Sequence, residues 1–347
     1  MSNHYINIAL IGSVSTGKST LLNAILAGTY SDMKLIRTTM CPQVYCESDG
    51  ELEACMDQIR LANRAVNLDM SQNGCAHDLP ELFYQIRPIP GFYPLTDGLR
   101  YRIYDLPGIN DQSDSAAFYQ YLDGNLCKFD LIFFVFDIHT GFKQDEAELV
   151  DFLIWKIRSR LVSSQSCPHL LVLANKCDDM VLTNISSTSA SSSNPTNELD
   201  IHQTLSGELL KNYLEIEQRL NQTINRHMLV SLRLFVRMIP FCAKQLYIYR
   251  TFRHSSLDQL DEKYLDLIAT DQLGKTSWNK MLKQVSIPGR DLKEWRVEQI
   301  TDILSSQNID DCLANSGFGL VMDWFKRHIT PKYQQWVALK KCQPEVH

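Results

Sequence analysis

The chain has 347 residues, 44% of them apolar and 21% charged, with a formal net charge of −6 and a pI near 5.9. This is ordinary usage for a folded protein with one large core or two modest ones, and it excludes disorder as the main state. It also supplies no bulk positive field of the kind that draws a phosphate backbone or an anionic membrane, so nucleic acid is not an expected partner.

The ten cysteines, at 41, 46, 55, 75, 127, 167, 177, 242, 312 and 342, contain no CxxC pair, and Met1 to Leu10 has no signal-peptide pattern. Reduced thiols and a cytoplasmic location are the expectation. The nine histidines show no metal-ligand spacing with the cysteines, so a zinc site is not expected. The longest apolar run, Leu131 to Phe136, is far short of the ~20 residues a membrane helix needs. No transmembrane segment is expected, and peripheral membrane contact stays open.

In chain order, Tyr5 to Ile11 reads as a strand, and Gly12 opens a glycine, serine and threonine loop. Ser19 to Leu26 then resumes with helical spacing of Leu21, Leu22, Ile25 and Leu26. Arg100 to Leu106, Asp130 to Asp137, Leu170 to Ala174 and Leu234 to Cys242 read as further strands, with an amphipathic helix at Asp145 to Leu161. Two segments interrupt the rhythm: Ser48 to Leu99, with an amphipathic stretch around Leu52 to Leu68, and the serine-rich run 185–197, read as a flexible surface loop. Glu198 to Arg226 follows as a helix. Beyond Tyr247 the chain turns helical, at Leu257 to Ile268, Leu292 to Leu304 and Gly319 to Ile329. Strands alternating with helices predict an α/β domain with a mostly parallel sheet and helices on both faces, plus helical insertions and a helical C-terminal region.

Gly12, Ser13, Val14, Ser15, Thr16, Gly17, Lys18 and Ser19 fit GxxxxGK[ST] after a strand, with Thr20 continuing into a helix. Backbone N–H groups of such a loop cradle phosphates, Lys18 neutralises the β and γ oxygens, and the Ser19 hydroxyl ligates Mg²⁺. Asn175-Lys176-Cys177-Asp178 follows an apolar run and so stands at a strand's carboxyl end, where open α/β sheets bind ligands. The two oxygens of Asp178 can accept from the ring N1–H and exocyclic amine of guanine together, a donor pair adenine lacks. Asn175 would brace that loop and Lys176 would lie along the base.

Asp105-Leu-Pro-Gly108 fits DxxG, in which the carboxylate reaches Mg²⁺ through water and the glycine N–H meets the γ-phosphate. Thr38 and Thr39 lie about twenty residues after Lys18, and either could give a hydroxyl to Mg²⁺. Ala243-Lys244 ends another strand, and the Ala243 N–H could meet the guanine oxygen. Loop, threonine, DxxG, NKxD and xAK in that order point jointly to GTP or GDP with Mg²⁺.

This ordered set resembles the translation-factor-related class of P-loop GTPases, and within it dynamin-type G domains, through Gly12 to Ser19, TxxP at Thr39 to Pro42 and LPG at Leu106 to Gly108. The resemblance implies GTP hydrolysis, Thr39 as the switch threonine, and Ser15 as the loop serine that helps hold a charge-compensating cation. It also implies a nucleotide-dependent homodimer through the G domain and an effector of unknown identity. Residues 1–247 would form the G domain core, 248–314 a helical insertion or extension, and Asn315 onward (315–347) a terminal helix packed on the G domain.

Two departures bear on catalysis. Val14 stands where dynamin-type loops carry a glutamine, and Ile109 where Ras-like proteins carry one. Arg37 is either an arginine finger in cis or a solvated charge. The expectation is slow hydrolysis raised by self-association or a partner; the rivals are a pseudo-GTPase that binds without cleaving, and a P-loop ATPase or kinase, which NKxD disfavours.

Overall fold

The computed structural model describes residues 4–33, 39–48, 56–73, 81–92, 99–109, 115–178, 205, 207–284, 291–331 and 333–335. Arg37, Thr38 and the serine-rich run 185–197 lie outside the described residues.

The central strands β1 (His4–Ile11), β5 (Leu131–Asp137) and β6 (His169–Asn175) are almost continuously buried. Such strands tolerate no outward polar alternation, because helices cover both faces of the sheet. β4 (Leu99–Asp105) and β7 (Val236–Pro240) run parallel with them. β2 (Gln43–Glu47) is antiparallel to β4, with Gln43 opposite Asp105, and β3 (Leu82–Ile86) pairs parallel with β2. The described sheet has the order β3-β2-β4-β1-β5-β6-β7. Each parallel connection needs a crossover, and α1 (Lys18–Leu26), α3 (Ser115–Asn125), α4 (Gln144–Val162) and α5 (Gly207–Arg226) lie in those connections.

The segment from Ser48 to Leu99 holds α2 (Met56–Asn73) and then β3. Periodicity shows the helix but not strands β2 and β3, which are five residues each and are held by partners distant in sequence. Glu47 contributes: its buried carboxylate accepts from the Ile89 and Tyr101 N–H groups, both at 2.5 Å, pinning β2 to its neighbours.

The strand expected at Leu234 to Cys242 is a 3₁₀ turn, Val230–Leu234, followed by the shorter β7. The helix expected from Leu257 likewise opens as a 3₁₀ turn, Leu257–Gln259, before α7 (Glu262–Leu273). α5 buries Tyr213, Ile216, Leu220 and Ile224, the three-to-four spacing of one helical face.

The helical region comprises α6 (Ala243–His254), α7, α8 (Lys275–Gln284), α9 (Leu292–Ser305), α10 (Ile309–Asn315) and α11 (Phe318–His328). α6 lies along α1, and α7 packs on α8 and α9. α11 returns to the sheet, where Phe325 meets Tyr101 and Phe92 with ring centroids 6.0 Å apart in each case. One apolar cluster runs from Ile6 through the sheet to Trp278, Trp295 and Ile329. No described helix is long and apolar enough to cross a membrane.

Candidate nucleotide-binding site

Four sequence motifs meet at the carboxyl ends of β1, β4, β6 and β7. Gly12 follows β1, Asp105 ends β4, Asn175 ends β6, and Ala243 begins α6 just beyond β7. β1 lies between β4 and β5, the point where strand order diverges and open α/β sheets form their ligand crevice.

The phosphate loop is closed on itself. Thr16 donates its hydroxyl to the Ser13 carbonyl at 3.0 Å, and the Lys18 ammonium donates to the carbonyls of Ser13 (2.8 Å) and Gly12 (3.0 Å). Lys18 is buried, so its charge sits at the loop's centre. Gly17 caps α1 with φ 101°, and a Cβ there would lie 2.2 Å from Asn175 Nδ2. Only glycine fits that combination of left-handed backbone and close approach. Ser15 is exposed with φ 64°, while Val14, Ser19 and Thr20 are half-buried.

Asn175 ties this loop to the start of α6. Its Nδ2 donates to the Thr16 carbonyl at 2.7 Å, and its Oδ1 accepts from the Ala243 N–H at 2.9 Å. The Ala243 amide, assigned to the guanine oxygen from sequence, therefore donates within the protein and braces Asn175. Lys176 takes φ 70° and pairs with Asp137 at 2.5 Å.

Asp178 is held from both sides. The Cys242 thiol donates to Oδ1 at 2.9 Å and Lys244 to Oδ2 at 2.9 Å. Partial burial raises its carboxyl, yet these two donors outweigh that and keep it below the usual carboxylate value. Lys244 also pairs with Asp271 of α7 at 2.6 Å. Burial lowers the Lys244 ammonium, but its two carboxylate partners raise it above the usual lysine range.

Asp105 is fully buried. One oxygen accepts from the Thr39 hydroxyl at 3.2 Å, and the other, Oδ1, has no hydrogen-bond partner among the described residues. Burial pushes its carboxyl up to about 6, against the pull of Lys18 and Thr39. A buried carboxylate oxygen without a donor, beside a hydroxyl and near a phosphate loop, is a donor set that fits a hard divalent cation. Ser19, Thr39 and Asp105 would hold it, and the chemistry supplied there would be positive charge to offset that of the phosphates. Gly108 packs tightly on Val14: a Cβ would lie 2.6 Å from Val14 Cγ2 and 2.9 Å from its backbone nitrogen. Ile109 is buried.

Several residues of this frame carry no sequence signal. Glu146 is buried at the start of α4, accepts from the Lys143 N–H at 3.0 Å and faces Ser13; burial raises its carboxyl. Cys242 and Asp271 join Asp178 and Lys244 only through the fold. Lys143 stands where a capping box needs serine or threonine, so nothing local flags Glu146, and nothing local points to the other two.

The fold is that of a G domain, a mostly parallel seven-stranded sheet with helices, and a phosphate-loop motif follows its first strand. Residues 7–176, just under half of the chain, match the family described as 50S ribosome-binding GTPase. An uncharacterised protein of Acanthamoeba polyphaga mimivirus is 26% identical over 195 residues, 54% of this chain and 31% of its own length. Similar solved structures include one of a bacterial dynamin pair (14% identical, TM-score 0.40, 98% of this chain and 47% of that one). Era in complex with MgGDPNP and 16S ribosomal RNA is another (15%, 0.34, 70% and 52%), as is the S. cerevisiae Ski7 GTPase-like domain (17%, 0.35, 70% and 43%). The chain spans about half the length of these structures and about a third of the viral protein.

Proposed function

We propose that this protein binds GTP and GDP with Mg²⁺ and hydrolyses GTP to GDP and phosphate, as a nucleotide-dependent switch or assembly GTPase of dynamin-like type. The observation that carries the reading is Asn175, which hydrogen-bonds the phosphate loop at Thr16 and the base loop at Ala243. One nucleotide could therefore meet both loops in a preset frame. Lys18 and the N–H groups from Gly12 to Thr20 would take the phosphates, with the Gly108 N–H on the γ-phosphate. Asp178 would accept from guanine N1–H and the exocyclic amine, with Lys176 and Lys244 flanking the base.

Hydrolysis would be slow in the isolated chain. Val14 and buried Ile109 offer no side chain to orient a water, so a second copy through the G domain, a partner, or Arg37 would supply the missing group. The same two residues sustain the alternative of a GTP-gated interaction module that does not cleave; single-turnover hydrolysis separates the two.

Equilibrium titration with GDP, GTP and ATP tests the base assignment. Guanine nucleotides should bind far more tightly than ATP, and Asp178→Asn should shift preference towards xanthine nucleotides. Equal competition by ATP would overturn the reading.

A further inference from the structure

At the opposite end of the sheet from the nucleotide site, where β6 and β7 begin, the turn between α5 and β7 exposes an apolar surface. Met228 is 89%, Val230 86% and Leu234 61% exposed. These side chains are not folding back from a loose loop. Leu232 in the same turn is fully buried, with Leu229 and Phe235 packed against the core beside it. Backbone hydrogen bonds from Met228 to Asn225, from Leu232 to Leu229 and from Phe235 to Leu232 fix the turn. The inward residues anchor it, and the three others are directed outward. Exposed aliphatics concentrated in this way mark an interaction surface.

The neighbouring helix continues the patch. Arg158 of α4 donates to the His227 carbonyl at 2.8 Å, which places its face against the turn. Val162 (64% exposed) stands four residues on and Trp155 (46% exposed) three residues back, both on that face.

The charge around this surface runs against the net charge of −6. Arg226, Arg233 and Arg237 are exposed on the turn and its flanks. Lys326 and Arg327 are exposed in the last turn of α11, whose His328 ring lies 5.7 Å from that of His169 at the start of β6. Asp151 faces the cluster, 3.5 Å from both Arg226 and His227.

We propose that this turn is a membrane-contact site that inserts Met228, Val230 and Leu234 into the interface of an anionic bilayer, with the arginines on the lipid headgroups. A bilayer interface accepts convex, protruding aliphatics ringed by cations and needs no matching pocket, whereas a protein partner would have to supply one. Trp155 is the residue type that settles at headgroup level. The nucleotide site, at the other end of the same strands, would face away from the membrane. The proposal does not depend on which nucleotide binds there.

Co-sedimentation of the full chain with vesicles of phosphatidylcholine, with and without phosphatidylserine, tests it. The protein should pellet with the anionic vesicles and not with the neutral ones. Met228→Asp with Val230→Asp, or Arg226→Glu with Arg233→Glu, should cut the bound fraction about tenfold. Both pairs alter exposed side chains, so an unchanged far-UV spectrum and melting temperature would show that folding is intact. Met228→Trp should give emission that shifts to the blue on anionic vesicles and is quenched by brominated acyl chains. Three results would each overturn the proposal: wild-type protein left in the supernatant, a Met228→Asp, Val230→Asp double variant that binds as wild type does, or Met228→Trp emission that is not quenched. So would binding to polyglutamate but to no vesicle, which would mark the patch as a surface for acidic protein.

Discussion

Arg250 is the residue whose replacement tests the packing argument most directly. It lies on α6, is 1% exposed, and donates to four carbonyls: Ala24 at 2.7 Å, Ile25 at 3.0 Å, Pro90 at 2.5 Å and Gly91 at 2.9 Å. Two of these end α1, where the helix dipole is negative, so a cation is suited to the position. Burial, with Arg253 nearby, lowers the guanidinium from 12.5 to about 10, and it stays charged at neutral pH. Replacement by methionine removes charged donors worth roughly 1.5–3 kcal/mol each. It also relieves the burial penalty, about 3 kcal/mol for that drop. Ala24 keeps a second donor, the Ala27 N–H at 3.3 Å, so the expected net loss is at the low end, about 3–5 kcal/mol. Urea unfolding of wild type, Arg250→Met and Arg250→Lys should place the lysine variant between the other two. Because α1 begins at Lys18, added GDP should recover part of the loss by mass action. A methionine variant within about 1 kcal/mol of wild type would refute the account of Arg250 as the clamp between α1, α6 and the Pro90–Gly91 turn.

Two further perturbations address the site. Asp271→Asn would leave Lys244 with Asp178 alone, where it competes with guanine for the carboxylate. GDP affinity should fall about 3–10-fold in a fluorescent-nucleotide titration, and an unchanged Kd would show that α7 does not tune the base loop. Gly17→Ala places a Cβ on the Asn175 amide in a left-handed position. It should lower stability by about 2–5 kcal/mol in thermal unfolding and abolish nucleotide binding; normal binding would break the proposed link between the two loops.

The motifs were legible because each is a short run whose chemistry depends on local backbone. A glycine loop between a strand and a helix, or a carboxylate at a strand's last residue, reads the same wherever the strand lies in the sheet. The periodicity of α4, α5 and the central strands was legible for a related reason: one buried face or two imposes a pattern on consecutive residues. β2 and β3 were not, since five residues carry little pattern and their pairing partners, Asp105 for Gln43 among them, lie far along the chain.

The sequence by itself determined the order of the motifs, the parallel α/β core and the expectation of a guanine nucleotide, because strands, loops and side-chain chemistry are local properties. Only the tertiary structure decided that Asn175 bonds Thr16 across 159 positions, that Cys242 and Asp271 hold the pair Asp178 and Lys244, and that Arg250 closes on α1. It also decided that cations scattered through an acidic chain gather around Met228 and Val230. Hydrogen-bond partners and surface charge patterns are set by which residues folding brings together, and spacing along the chain does not encode them.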